Sequence, residues 1–203
     1  TRIVWLCNPN NPTGTIITTQ ELNSFLEKVP REVLVVLDEA YYEYAKGGDY
    51  PESLELLDKY DNIIILRTFS KIYGLAGLRI GYAISNENII EYLNRVRGPF
   101  NVNAAAQIAA LAALEDQEFL IKTLKNNNKG KQYLYEALDE MGLRYIPTHT
   151  NFIMVDVKTD SKQLFFELLK KGVIIRSGDI FEMDEWIRVT IGTPEENEIF
   201  VRS

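Results

Sequence analysis

The run Val33-Leu34-Val35-Val36-Leu37 constrains this chain more than any other stretch: five consecutive apolar residues lead straight into Asp38. A strand with one face in water alternates apolar and polar residues. An unbroken apolar run is buried on both faces, which is the condition of a strand inside a parallel sheet. Parallel neighbours need crossover connections, so helices are expected on both faces of that sheet. Two further segments fit the same sheet, Arg2–Leu6 and Asn62–Leu66. Between them, Thr18 or Thr19 followed by Glu21 reads as an N-cap opening a helix to about Lys28, and Ser53–Tyr60 reads as a short helix. The expected fold class is α/β, a mostly parallel sheet sandwiched by helices.

Each of these strands runs into residues that carry chemistry. In open α/β sheets, ligands bind outside the carboxyl ends of the strands. After the first strand comes Asn8-Pro9-Asn10-Asn11-Pro12-Thr13-Gly14, a loop that can be neither helix nor central strand. Its amides can face a ligand, or simply close Asx turns. After the second, Asp38 needs a cationic partner unless it caps the next element. A protonated pyridine nitrogen is one such cation. Ala40 is small enough for a flat ring to lie against, and Tyr41 can hydrogen-bond a phenolic oxygen. After the third strand comes Thr68-Phe69-Ser70-Lys71-Ile72-Tyr73-Gly74, continuing through Gly77 and Arg79 to Gly81-Tyr82. Lys71 is suited to form an imine with a carbonyl. Arg79 stands in an apolar run where a buried guanidinium would need an anion, and its fork of donors matches a phosphate. Ser70 can add a hydroxyl donor. An amine beside a phosphate clamp points to pyridoxal phosphate, which carries an aldehyde and a phosphate. Taken singly, Lys71 also reads as a solvated loop lysine and Arg79 as half of a structural ion pair.

Tyr82–Ile84 reads as another strand, Asn86 to about Arg97 as a helix broken by Gly98-Pro99, and Ala104–Leu114 as an Ala-rich helix. Asp116–Met141 reads as a long amphipathic helix with Gly142 at its C-cap. Beyond it the pattern changes to short strands at Arg144–Ile146, Phe152–Val155, Val173–Ile175 and Trp186–Thr190, with a helix at Ser161–Lys171. The expected organisation is residues 1–125 as a sheet-bearing large domain and 126–203 as a smaller α+β domain. In the smaller domain Arg188 sits mid-strand and Arg176 ends an apolar triplet. Either can capture a carboxylate or phosphate in bidentate fashion, or pair with some of the 29 acidic residues. His149, the single histidine, has no nucleophile or ligand cluster beside it and reads as a turn residue.

Composition excludes several classes. The formal charge is −7 and no basic run is long enough to track a nucleic-acid backbone. A single cysteine, Cys7, rules out an internal disulfide and a cysteine metal cluster, and fits a reducing compartment. No apolar run reaches membrane-spanning length and no signal-peptide pattern is visible, so a cytoplasmic location is expected. Residue 1 is not Met, and a core strand starts at once. The chain is therefore expected to be a piece of a longer polypeptide whose small domain is truncated at its end.

Asn-Pro-Asn-Asn-Pro-Thr-Gly (8–14), Asp-Glu-Ala-Tyr (38–41), Ser-Lys-x-x-Gly-Leu-Ala-Gly-Leu-Arg-x-Gly-Tyr (70–82) and Ile-Arg-Val-Thr-Ile-Gly-Thr-Pro-Glu-Glu-Asn (187–197) follow one another in order. Together they closely resemble the aspartate-aminotransferase fold family of pyridoxal-phosphate enzymes. With Thr150–Ile153 and Ile174–Gly178, the last motif is most similar to the histidinol-phosphate aminotransferase branch. The resemblance implies that Lys71 holds pyridoxal 5'-phosphate and then moves protons, and that Asp38 pairs with the ring nitrogen. It implies that Tyr41 and Asn11 bond the phenolic oxygen, that Ala40 meets a ring face, and that Ser70 and Arg79 hold the phosphate. Arg188, with Arg176 and Asn11, would bind substrate. It further implies transamination between histidinol phosphate and 2-oxoglutarate, giving glutamate, in a homodimer with no metal. An aromatic amino acid aminotransferase, a threonine-phosphate decarboxylase and a non-catalytic scaffold of the same fold are the neighbouring possibilities. The family's N-terminal half, which supplies more phosphate donors, a stacking aromatic and a tyrosine given across the dimer, is not in this chain.

Overall fold

The computed structural model describes residues 1–203, which divide into two compact units. The first comprises Thr1–Asn10 and Ile16–Leu120; the second comprises Asn11–Thr15 and Ile121–Ser203.

The first unit is built on a four-stranded sheet in the order β1 (Ile3–Cys7), β2 (Leu34–Asp38), β3 (Ile63–Thr68) and β4 (Gly81–Ile84). β1, β2 and β3 are parallel neighbours, and β4 returns antiparallel to β3 with Arg67 opposite Tyr82. The mostly parallel sheet follows from the apolar runs. Val35 and Leu37 pack with Ile63 and Ile65 against Leu22 and Leu26 of α1 (Thr19–Leu26), while Val36 and Ile64 are buried as well. Each such side chain contributes roughly 1.5–3 kcal/mol over its exposed state. A capping box starts α1: the Thr18 hydroxyl accepts from Glu21 N–H, and the Glu21 carboxylate accepts from Thr18 N–H at 2.8 Å. The unit continues through a short α2 (Tyr42–Ala45), a 3₁₀ turn at Ser53–Asp58, α3 (Glu87–Val96) and α4 (Ala104–Glu115). Asn86 and Asn103 cap the last two helices.

α5 (Gln117–Glu140) ends in Gly142 at φ 67°, with Leu143 N–H donating back to Leu138 C=O at 3.0 Å. The second unit carries an antiparallel sheet in the order β5 (Arg144–Ile146), β6 (Phe152–Asp156), β8 (Trp186–Thr190) and β7 (Arg176–Ser177). Leu134 and Leu138 of α5, Leu168 of α6 (Ser161–Lys170) and the inward residues of β6 and β8 form its core. Gly130 lets α5 approach closely, since a Cβ there would lie 2.6 Å from Ile191. A capping box on Thr193 and Glu196 starts α7 (Pro194–Arg202). Val173–Ile175 departs from the expectation of a strand. The chain turns at Gly172 with φ 82°, Ile174 is 76% exposed, and only Arg176 and Ser177 pair with β8. No helix is long and apolar enough to cross a membrane.

Candidate active site

β2 and β3 end side by side, Asp38 paired with Leu66, and the segments leaving them bring most of the expected residues together. Asp38, Ala40, Ser70, Lys71 and Arg79 line one open cleft of about 600 Å³, with Arg67 at its wall. Asp38 accepts a hydrogen bond from Ala40 N–H at 3.2 Å and belongs to none of the molecule's ion pairs. Tyr41 is buried, and Lys71 Nζ lies 5.2 Å from the centre of its ring. The Lys71 turn is closed by Gly74 N–H donating to Lys71 C=O at 2.9 Å, with Gly74 at φ 70°. Ser70 N–H donates to the Thr68 hydroxyl at 3.1 Å, and buried Phe69 anchors the turn from below.

Arg79 differs from its sequence reading. It is exposed rather than buried in the apolar run, because Ala76–Leu78 form a 3₁₀ turn that delivers it to the cleft rim. Its backbone is left-handed at φ 54° and ψ 52°, and Nη1 donates to Ala76 C=O at 2.9 Å. A non-glycine residue held there is strained by roughly 1–3 kcal/mol, and such residues cluster at ligand clamps.

The asparagine loop splits its duties. Asn8 is buried and serves the fold, accepting from Ile17 N–H at 2.8 Å and donating to Ile17 C=O at 3.1 Å. Asn11 lies in the second unit, where its Oδ1 accepts from Arg188 Nη1. The Arg188 guanidinium also lies 4.9 Å from the Phe152 ring centre and 5.5 Å from that of Phe181. Arg176 is directly opposite Arg188 on the neighbouring strand, exposed. Like charges so placed repel, and a shared anion would relieve them. His149 lies at the surface in the turn before β6; its backbone N–H donates to Gly14 C=O at 2.8 Å, and partial desolvation of the ring, then the Lys131 charge, lowers its pKa.

Sequence reasoning missed Glu39 and Arg67. Glu39 is 2% exposed and takes Arg67 Nε at 3.0 Å, with Nη2 2.9 Å from the same oxygen. Its other oxygen accepts from Ser53. The Arg67 guanidinium lies 3.5 Å from the Tyr42 ring centre. Burial pushes the Glu39 carboxyl up, against the pull of Ser53 and Arg67. Burial and the Glu52 carboxylate 3.0 Å away push the Tyr42 phenol up to about 12. A glutamate beside an aspartate gives no sign of its burial; the one available hint was Arg67 at the end of an apolar strand.

The model of the family "Aminotransferase class I and II" matches residues 1–203. Histidinol-phosphate aminotransferase 2 of Carboxydothermus hydrogenoformans is 56% identical over 202 residues, covering 99% of this chain and 56% of that protein. Histidinol-phosphate aminotransferase of Caldicellulosiruptor saccharolyticus is 54% identical over 203 residues, covering 100% and 57%. The crystal structure of histidinol-phosphate aminotransferase from Sinorhizobium meliloti in complex with pyridoxal-5'-phosphate superposes with a TM-score of 0.92 at 32% identity, covering 100% and 56%. The chain thus spans just over half the length of the relatives it matches. It belongs to the class I and II aminotransferases.

Proposed function

We propose that this chain carries much of the catalytic machinery of a pyridoxal-phosphate-dependent transaminase. Its substrates would be histidinol phosphate and 2-oxoglutarate, its products imidazole-acetol phosphate and glutamate. The observation that carries the reading is the single cleft holding Asp38, Ala40, Ser70, Lys71 and Arg79, with Tyr41 against Lys71. The donor set fits the cofactor. Asp38 is in no ion pair and can meet a ring cation; Arg79 sits strained at the rim, where a phosphate would occupy its remaining donors; Ala40 leaves room for a flat ring. The bound cofactor supplies an electron sink for the substrate's α-carbon.

The protein's own groups do the rest. Lys71 would hold the cofactor through its amine, and that amine is the base and acid that would move a proton at the substrate. Asp38 keeps the ring nitrogen protonated. As the resemblance implies, Tyr41 and Asn11 would hydrogen-bond the phenolic oxygen. Ser70 and Arg79 hold the phosphate. Arg188 would bind the carboxylate of 2-oxoglutarate or glutamate, and Arg188 with Arg176 the phosphate of histidinol phosphate. The relatives named for histidinol phosphate support this substrate choice. A cytoplasmic homodimer, and a division near residue 125, complete the reading. The test is an assay of the full-length protein with histidinol phosphate, phenylalanine or tyrosine as amino donor to 2-oxoglutarate. Fastest turnover of histidinol phosphate is expected, with a visible absorbance band of bound cofactor. Absence of that band overturns the enzyme class; preference for the aromatic amino acids overturns the substrate.

A further inference from the structure

The Glu39–Arg67 pair is an unusual thing to bury. Removing two charges from water costs several kcal/mol per ion, and a well-packed apolar pair of similar volume is often as stable or more so. Stability alone is therefore a poor reason for its presence. Its position gives a better one. The β2–β3 ladder ends at Asp38 and Leu66, and one more backbone bond follows, Glu39 N–H to Leu66 C=O at 2.9 Å. Beyond that point the chains diverge, one into Ala40–Tyr41 and the other through Thr68 into Ser70–Lys71. The side chains of Glu39 and Arg67 join the two strands at this fork, with Ser53 and the Tyr42 ring holding each partner. Successive strand residues point to opposite faces, so Asp38 enters the cleft while Glu39 turns inward.

We propose that Glu39 and Arg67 are positioning residues: their buried pair clamps the fork of β2 and β3 and so fixes the Asp38 carboxylate relative to the Lys71 amine. This deepens the reading of the cleft as a pyridoxal-phosphate site and rests on it. Arg67 carries the geometric part. Its Nε donates to Glu39 Oε2 while its planar guanidinium lies on the Tyr42 ring, and the two contacts fix direction as well as distance, which a lysine ammonium cannot do. Arg67→Lys therefore keeps the charge and loosens the clamp.

The experiment uses the full-length protein and compares wild type with R67K and with E39Q/R67M, which replaces the pair by neutral groups. Three quantities are read: the Kd for added pyridoxal phosphate, the visible circular dichroism of the bound cofactor, and thermal unfolding without cofactor. Both variants are expected to unfold close to wild type. In both, the Kd should rise by about tenfold or more and the induced circular dichroism should weaken, as a misplaced carboxylate loses one charge-assisted contact. Should R67K fail to fold, E39Q/R67M alone decides. Variants matching wild type in Kd and dichroism would overturn the clamp, even if less stable. A wild type that binds no pyridoxal phosphate would instead overturn the reading of the cleft.

Discussion

Arg188 donates to Asn11 although 177 positions separate them, and both belong to the second unit. The Phe152 and Phe181 rings flank the guanidinium, their centres 4.9 and 5.5 Å from it. Under the proposed function, R188K keeps the charge but loses the planar fork. Its KM for 2-oxoglutarate should rise by about 10- to 100-fold, with a smaller change in kcat, as expected for loss of a bidentate contact of roughly 1.5–3 kcal/mol. Asn11→Ala should raise KM less, because the arginine itself stays. Steady-state kinetics on the two variants checks the ranking. A KM unchanged in R188K would remove Arg188 from the substrate site.

The Lys71 amine lies over the Tyr41 ring. Replacing Lys71 by Ala removes the amine and leaves the turn, whose bonds are made by backbone and by buried Phe69. The variant should fold as wild type does. It should lose turnover by about 10²–10⁴-fold from proton transfer alone. Borohydride treatment followed by mass spectrometry should label Lys71 in wild type and no residue in K71A. A label elsewhere would sink the assignment. Tyr41→Phe retains the ring under Lys71 and should cost far less.

Much of this was legible because it is local. The apolar runs of β2 and β3 declare burial on both faces within five or six residues, and Ser70-Lys71 declares its chemistry by its neighbours. What was not legible depends on distant partners. Glu39 reads as a solvated carboxylate until Ser53, 14 positions on, and Arg67, 28 positions on, are brought to it. Arg79 reads as buried from its apolar neighbours, yet a 3₁₀ turn exposes it. Val173–Ile175 has the composition of a strand, but β8 offers pairing only to the two residues after it. Asn11 and Asn8 look alike in one loop, and the fold gives one to Arg188 and the other to Ile17.

Gly14 is the tightest of the glycines. Its φ is +76°, and a Cβ would lie 2.1 Å from the Thr148 hydroxyl oxygen and 2.8 Å from Thr148 Cβ. Its C=O also accepts from His149 N–H at 2.8 Å, so the loop cannot withdraw freely. Gly14→Ala combines left-handed strain of about 1–2 kcal/mol with an overpacking cost of about 1–3 kcal/mol. A loss of roughly 2–5 kcal/mol in denaturant unfolding is expected. Asn tolerates the left-handed region better than Ala, so G14N separates the two causes. If the contact dominates, G14N is as damaging as G14A; if strain dominates, it recovers much of the loss.

Asp156 gives the clearest pH dependence. Its side chain is buried on β6, where Arg144 of β5 reaches it, Nε donating at 3.0 Å and Nη2 pairing with the same oxygen. Lys158 N–H adds a bond to the other oxygen at 3.0 Å. The Arg144 hydrogen bonds, with that backbone donor, hold the carboxyl below the ordinary aspartate range. The folded pKa is depressed, so the native state binds fewer protons than the unfolded chain near and below the unfolded pKa of about 3.9. The contribution to stability is therefore fully present above that value and is lost as pH falls through the folded pKa. Asp156→Asn removes the charge and should lower stability at pH 7. The gap between wild type and D156N should then narrow steadily as pH drops below about 4. Arg144→Met should cost less, because its guanidinium is largely exposed and solvent screens the pair. Urea unfolding of the three proteins from pH 3 to pH 7 measures this. A gap that stays constant across the series would show that Asp156 acts through packing and not through its charge.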